Sequence, residues 1–254
     1  MSTVLSDTGA VFTREMRLVV RDPFSLAFSI VQPLVFLALF GPLLANSVGE
    51  QAFGGETLQW FLPGVVVMLS MFGTTMTGSN LQIEMNTGSY ERVLATPLTR
   101  SSLMAGRALK ESAPLAVQAV ILILVSIPFG FDVYPVHVLA GLVLLGVFGI
   151  GVGALSYALA LMTRKNEWMF WIVQQSLLFP LLILSGIMLP LEQAPGWMKV
   201  ASHFNPLTYV VDAERTLFGG VFLDRDVVYG VLAAVLTCAA GLFVGIRTIH
   251  HNTA

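Results

Sequence analysis

The chain has 254 residues and a formal net charge of −2, with 56% hydrophobic and 11% charged residues. Because charged residues make up about 25% of an ordinary soluble domain, this composition indicates an integral membrane protein. The small net charge gives no electrostatic basis for binding nucleic acid, and the single cysteine, Cys238, excludes a disulfide within one chain and a cysteine-based metal site.

Residues 8–22 predict an amphipathic helix that lies in the membrane interface. At the helical angle of about 100° per residue, apolar and basic side chains fall on opposite faces. The apolar face carries Phe12, Met16 and Val19. The basic face carries Arg14, Arg17 and Arg21. Such a helix anchors a chain to membrane lipid at the headgroups, and contact with a partner protein is a second interpretation.

Six tracts are long and apolar enough to cross a bilayer, which takes roughly 20 mostly apolar residues. They cover residues 24–44, 60–79, 112–130, 136–162, 168–189 and 227–246. Barrel strands would alternate every second residue, and runs such as VVVMLSMF do not. The sequence therefore predicts an all-α membrane protein with one transmembrane domain over residues 1–254.

The distribution of Lys and Arg predicts that both termini face the cytoplasm. Of the 13 Lys and Arg residues, 10 lie in the N-terminal segment, residues 82–111, the loop at 163–166 and the C-terminal tail. The other three lie in the long connection 190–226, on the opposite side. We therefore expect a multi-pass protein of the cytoplasmic (inner) membrane.

The predicted spans contain no Asp, Glu, Lys or Arg. Carriers coupled to protons or ions usually place such a residue within the membrane, so a stand-alone secondary transporter or channel is disfavoured. A membrane enzyme is disfavoured too, because no nucleophile–base pair and no GxxxxGK[ST] phosphate-binding motif is visible. The chain is predicted not to be an enzyme, and energy for transport would come from another chain.

Residues 84–111 form a compact charged segment between two apolar spans. A turn with a possible helix N-cap occurs at residues 87–89, and Pro97 ends the short helix that follows. That helix has an apolar stripe formed by Tyr90, Val93 and Leu94. Two interpretations are open: a solvated loop packed on its own bundle, or an element that docks to a cytoplasmic partner.

The connection 190–226 predicts two short helices that dip into the outer leaflet, broken at Asn205-Pro206. The apolar face of the second helix carries Tyr209, Val210, Ala213 and Leu217, with Asp212, Glu214 and Arg215 off that face. The segment is either an external gate or a structural plug.

Three motifs carry a family resemblance. They are EMNTGSYERVLATPLTR at 84–100, LSGIMLP at 184–190 followed by PGW at 195–197, and NPLTY at 205–209 with Asp212 and Arg215. In this order they resemble permease subunits of ABC exporters in the type-2 export family, which carry drugs, polysaccharides and lipo-oligosaccharides. Within that family they resemble the daunorubicin-resistance permeases most. One departure is Gly106-Arg107, where the family often has Lys.

The resemblance implies partners and an energy source. The permease would work as a dimer with an identical or related second copy, and with two copies of a cytoplasmic ABC ATPase subunit. ATP and magnesium would be bound by that subunit, and no cofactor by this chain. The coupling helix that docks to the ATPase would be formed by Tyr90, Glu91, Arg92, Val93 and Leu94, supported by Glu84, Arg14, Arg17 and Arg21.

The resemblance also implies a substrate path between the two permease copies, along the second and fifth spans. Its candidate lining is Met68, Met71, Phe72, Thr75, Trp171, Gln174, Gln175 and Leu178. The candidate external gate, with re-entrant helices, is Trp197, Phe204, Asn205 and Tyr209. The expected cargo is a hydrophobic drug, antibiotic or similar amphiphile moved by alternating access; a lipid-linked glycan or a lipid is the alternative.

Overall fold

This computed structural model describes residues 2–21, 23–47, 57–89, 106–107, 109–110, 112–164, 166–188, 190–191 and 194–251. Within these ranges the backbone is helical apart from short turns, and it contains no β-strand. The all-α class predicted from the sequence is therefore confirmed for the described part of the chain.

The main helices are given in chain order. They are α1 (Ser2–Arg21), α2 (Pro23–Ser47), α3 (Thr57–Asn86), α4 (Ser112–Ser126, continued by a 3₁₀ turn over Ile127–Phe129), α5 (Pro135–Met162), α6 (Glu167–Leu184), α7 (Gly196–His203), α8 (Pro206–Phe218) and α9 (Arg225–His251).

Five helices of the described chain are long and apolar enough to cross a membrane: α3, α4 with its 3₁₀ turn, α5, α6 and α9. They coincide with the second to sixth predicted spans. The first predicted span, residues 24–44, falls within α2, where the apolar stretch over the described residues is Pro33–Leu43 and is shorter than a span. A sixth span, the sides of the two termini and the re-entrant character of α7 and α8 stay predictions.

The centre of the bundle is α3, whose residues 61–71 are all buried. Its neighbour α5 packs closely on α9 through small residues. A Cβ atom added at Gly151 would lie 2.6 Å from the carbonyl oxygen of Thr237, and one added at Gly241 would collide with the carbonyl oxygen of Gly151. Small residues that let two backbones approach are a usual way for membrane helices to associate.

In contrast, α6 lies at the edge of the bundle. Only one narrow stripe of it is buried, at every fourth residue: Phe170, Gln174, Leu178 and Leu182. Large apolar side chains on its other faces are exposed: Trp168, Met169, Trp171, Ile172, Leu177, Phe179 and Ile183. In a membrane protein such a face meets lipid or a neighbouring chain.

The connections gather at two ends of the bundle. At one end, the Gln59 side chain donates to the carbonyl oxygens of Asp132 (3.1 Å) and Phe218 (2.7 Å). At the other end, the Gln82 amide donates to the Thr163 hydroxyl at 3.1 Å. We call these the outer and the inner end, after the orientation predicted from the basic residues.

One expectation for the connection 190–226, which we call the outer segment, is wrong. Glu214 was predicted to lie off the apolar face of its helix, but it is fully buried. The reason is that α8 packs against α3, α5 and α9, so that more than one of its faces is covered. Gly141 of α5 provides the space, since a Cβ atom there would collide with Oε2 of Glu214.

Candidate functional site

A cavity of about 320 Å³ lies between α3, α5, α6, α8 and α9. Its wall is largely aliphatic, with Met71, Phe148, Val152, Leu155, Leu178 and Leu181 among the lining residues. Polar side chains in the lining are Thr75, Ser156, Gln174, Asn205 and Thr237. The cavity is therefore suited to an apolar ligand that carries few polar groups.

Half of the predicted path residues line this cavity. They are Met71, Thr75, Gln174 and Leu178. Met68 and Phe72 belong instead to the apolar core around α3. Trp171 and Gln175 are exposed on α6, because each follows a buried residue of the stripe by one position and therefore lies about 100° around the helix.

Ser156 joins three helices at the wall of the cavity. Its hydroxyl oxygen accepts a hydrogen bond from the Gly78 amide (3.2 Å), and the hydroxyl donates to the Thr75 carbonyl (2.7 Å). The Gln174 amide, from α6, is 3.0 Å away. Since the serine hydrogen is already donated, the contact is satisfied when Gln174 turns its NH₂ group to Ser156. The carbonyl oxygen of Gln174 then faces the cavity.

Three side chains of the outer segment hold the outer end of α6, and we call them the outer clamp: Asn205, Thr208 and Arg215. They donate to the carbonyl oxygens of Leu181 (2.8 Å), Leu184 (3.2 Å) and Gly186 (2.7 Å), respectively. Carbonyl groups at the end of a helix have no partner within the helix. The clamp satisfies them and fixes α6 to α8.

Arg215 extends the outer clamp to α3. Its guanidinium carbon lies 3.6 Å from the centroid of the Trp60 ring, and its Nε donates to the Trp60 carbonyl at 3.3 Å. Asp212 is within 3.5 Å of the same guanidinium. Planar guanidinium groups combine stacking with several directed hydrogen bonds, which suits Arg to this position.

The predicted gate residues differ in their placement. Asn205 belongs to the outer clamp and also caps α8 by accepting a hydrogen bond from the Leu207 amide at 3.0 Å. Tyr209 donates to the His203 carbonyl at 2.8 Å. Trp197 and Phe204 are 69% and 85% exposed, and their role in a gate stays a prediction.

Sequence reasoning missed two members of the clamp, Thr208 and Arg215, as functional residues. Residues 205, 208, 212 and 215 are all polar and are spaced by three or four positions. That spacing places them on one face of a helix. It was the signal that could have identified the clamp.

At the inner end, α1, α3, α5 and the residues before α4 meet at what we call the inner neck: Val11, Glu84, Gly106, Arg107 and Tyr157. Glu84 and Arg107 form an ion pair. The guanidinium of Arg107 lies 5.9 Å from the centroid of the Tyr157 ring. A Cβ atom added at Gly106 would lie 2.8 Å from Val11, so α1 packs directly on this segment.

Several predicted coupling residues fall elsewhere. Arg14 and Arg17 are exposed on α1. The predicted docking residues Tyr90, Glu91, Arg92, Val93 and Leu94 lie outside the described residues, as does the side chain of Arg21. Among the residues that are described, no group of three or more His, Cys, Asp or Glu is placed to hold a metal ion.

Glu214 is a buried acid in α8, outside the five long apolar helices. Neither carboxyl oxygen has a hydrogen-bond partner among the described residues. Burial raises the pKa of Glu214 to about 8, because desolvation disfavours the charged form. The side chain is therefore a neutral carboxylic acid while α8 is packed on α5.

The whole arrangement can be compared with known proteins. The family model described as ABC-2 type transporter matches residues 6–219. The daunorubicin resistance ABC transporter permease protein DrrB1 of Streptomyces coeruleorubidus is 28% identical over 245 residues, which cover 95% of this chain and 86% of that protein. The putative transport permease ycf38 of Cyanophora paradoxa is 28% identical over 201 residues, 78% of this chain and 69% of that protein.

A third relative is the probable multidrug ABC transporter permease YbhR of Escherichia coli. It is 25% identical over 170 residues, which cover 63% of this chain and 44% of that protein. The matched range 6–219 includes the inner neck and the outer clamp. The matches confirm the family resemblance inferred from the sequence motifs.

Proposed function

The chain belongs to the ABC-2 type transporter family, and we propose that it is the membrane subunit of an ATP-driven exporter in the cytoplasmic membrane. The observation that carries this proposal is the family match over residues 6–219. The relative that aligns with 95% of the chain is itself named as an ABC transporter permease. ATP would be hydrolysed by a separate ATPase subunit, present in two copies beside two permease copies.

The inner neck supports a coupling role for the segment that leaves it. Glu84 precedes the segment 90–105 in the chain and Arg107 follows it, and the two side chains form an ion pair. A force applied to the segment would therefore reach α3, α1 and α5 together. We propose that Tyr90, Glu91, Arg92, Val93 and Leu94 dock to the ATPase and transmit its closure as a rigid-body movement.

The packing of α6 supports an alternating-access path beside that helix. A narrow buried stripe, the Ser156–Gln174 contact and the outer clamp hold α6 to the bundle. Movement of α6 relative to α5 would change the cavity between them, and of the buried core around α3 it would displace the α6 members Leu178 and Leu182. The exposed apolar face of α6 supports placing the second permease copy there, with the remaining path residues Trp171 and Gln175 between the copies.

A hydrophobic drug, antibiotic or similar amphiphile is the proposed cargo. The aliphatic cavity wall supports this, and one relative is named for daunorubicin resistance and another as a probable multidrug permease. Lipid-linked glycans or lipids would be the alternative cargo for the same architecture.

The test of this function uses the full chain co-expressed with its ATPase and reconstituted into liposomes. Leu94→Asp places a charge on the proposed docking stripe and should abolish ATP-driven export and co-purification of the ATPase. Leu94→Met is the matched control and should retain both. Membrane insertion should be equal in all three proteins. Full ATP-driven export by Leu94→Asp would contradict the docking role, and uphill transport by the purified chain without any ATPase would contradict the function itself.

A further inference from the structure

The cavity beside α6 has a mouth and a deep end. Four lining residues are exposed at the bundle surface: Leu155 and Met162 of α5, Leu177 of α6 and Val244 of α9. Gln174 and Phe148, in contrast, are buried. The mouth therefore lies on the side of the bundle between α5, α6 and α9, and an apolar side surface of a membrane bundle faces the hydrocarbon of the bilayer.

The deep end provides few polar groups and no charge. No Asp, Glu, Lys or Arg of the described chain lines the cavity, and a charged ligand group would lose its hydration without compensation. One polar atom of the Gln174 amide contacts Ser156. The other has no protein partner among the described residues, although the residue is only 6% exposed. Since this free atom is the carbonyl oxygen, a ligand with a hydroxyl group would satisfy it by donating a hydrogen bond.

The volume limits what fits. The cavity's volume of about 320 Å³ lies at the lower end of the roughly 300–1,000 Å³ that is typical of ligand pockets. The cavity can therefore hold a small molecule or one part of a larger one.

We infer that this cavity is a binding site within a single copy of the chain for an uncharged, membrane-dissolved aliphatic molecule that carries a hydroxyl group, and that this hydroxyl donates a hydrogen bond to the carbonyl oxygen of Gln174. The inference rests on the proposed function in one respect only, namely that the bound molecule is cargo. The site differs from a path between two copies, because five helices of a single chain surround it.

The experiment uses the purified full chain in lipid nanodiscs, without ATPase or nucleotide. The probe is an aliphatic alcohol of about ten carbons that carries a photoreactive diazirine, and labelled peptides are identified by mass spectrometry. Saturable labelling of α5 and α6 around the cavity is expected. Excess decanol should compete with the probe, whereas decylammonium, which has a similar length and a charge, should not.

Variants of two polar residues of α6, one in the cavity wall and one outside it, test the role of Gln174. Gln174→Leu should weaken binding of the alcohol about fivefold, because one hydrogen bond is worth about 1 kcal/mol and 1.4 kcal/mol corresponds to a factor of ten. Ser176→Ala, at an exposed position of α6 outside the cavity lining, should bind like the wild type. Leu155→Trp narrows the mouth at an exposed position and should abolish labelling. Thermal unfolding of each variant verifies that the bundle is intact.

Labelling that does not saturate, or that is unchanged in Gln174→Leu and Leu155→Trp, would overturn the inference. Equal affinity for decane and decanol would overturn the role of Gln174. If a bilayer lipid co-purifies and decanol displaces it, the site is supported but the identification of its ligand as cargo is overturned. Binding without ATP-driven export would contradict the proposed function alone, and export without binding would contradict this site alone.

Discussion

Two helices pack on α5 in different ways. With α9 the contact is so close that Gly151 and Gly241 leave no room for a side chain. With α6 the contact consists of a narrow stripe, a polar contact at Ser156 and a cavity of about 320 Å³. Both helices are long and apolar enough to span a membrane, so hydrophobicity does not account for the difference. The size of the side chains at the contact does.

The difference divides the bundle into a fixed part, which contains α5 and α9, and an adjustable part, which is α6. The α8 helix belongs to the fixed part, since a Cβ atom at Gly230 of α9 would lie 2.8 Å from the carbonyl oxygen of Tyr209. The outer clamp then connects this fixed part to α6 through side chains that bond to carbonyl groups. Such bonds can be released and formed again at a cost of about 1 kcal/mol each, whereas backbone packing cannot adjust without wider rearrangement.

The largest expected effect follows from filling the closest contact of the fixed part. Gly241→Ala places a methyl group against the carbonyl oxygen of Gly151, and neither backbone can move away independently. We expect a loss of about 3 kcal/mol or more in stability, at the upper end for overpacking. Thermal unfolding of the purified chain in detergent measures it.

The matched control for this variant is Gly146→Ala on α5, where the nearest atom would be 3.7 Å from the new methyl group. It should be neutral or slightly stabilising, because Ala favours the helix over Gly by about 1 kcal/mol. Equal stability of the two variants would show that α5 and α9 are not packed as rigidly as the comparison requires.

A pH titration tests whether the contact of α8 with α5 excludes water. The pKa of Glu214 is raised to about 8 by burial, from 4.5. A carboxyl group with a raised pKa stabilises the folded state fully below its unfolded pKa, and this contribution is lost as the pH rises toward 8. Relative to Glu214→Gln, the wild type should therefore lose about 3 kcal/mol between pH 5 and pH 8.

The quantity to measure is the difference between the unfolding temperatures of the two proteins at each pH, because other groups titrate in the same range. A difference that stays constant from pH 5 to pH 8 would mean that the Glu214 carboxyl is hydrated. In that case α8 would not belong to the fixed part.

The outer clamp gives a smaller effect, confined to the adjustable part. Arg215→Ala removes two hydrogen bonds to carbonyl groups and the stacking on Trp60, which together should cost about 2 kcal/mol. Hydrogen exchange should accelerate at the outer end of α6 and remain slow in α5. Arg215→Lys should not restore protection, because an ammonium group can neither stack nor reach both carbonyl groups. Unchanged exchange at residues 181–186 would refute the clamp.

The sequence predicted the long apolar helices well, since five predicted spans coincide with five helices. It also pointed to Asn205, because Asn-Pro predicts a break between two helices, and in the structure this residue caps the second of them. It failed for Glu214, since a periodicity argument assumes one buried face and α8 is covered on several. The Ser156–Gln174 contact was beyond reach for another reason: its partners come from different helices, and their pairing depends on how the bundle packs.

The smallest effect on stability is expected at the inner neck, which connects the fixed part to the proposed docking segment. Glu84→Gln keeps the size of the side chain but removes its charge opposite Arg107, which should cost about 1 kcal/mol because the acid is partly exposed. The control is Glu167→Gln. The Glu167 carboxylate accepts an exposed hydrogen bond from Asn86, and its loss should change stability by almost nothing.

The same variant tests how movement at the neck is transmitted. If the fixed part moves as one rigid body with the inner neck, Glu84→Gln should reduce ATP-driven export more than ATP hydrolysis, while hydrogen exchange at the outer clamp stays unchanged. Faster exchange at residues 181–186 in this variant would instead show that the two ends of α6 are coupled through the helix itself, and α6 would no longer be the part that adjusts independently.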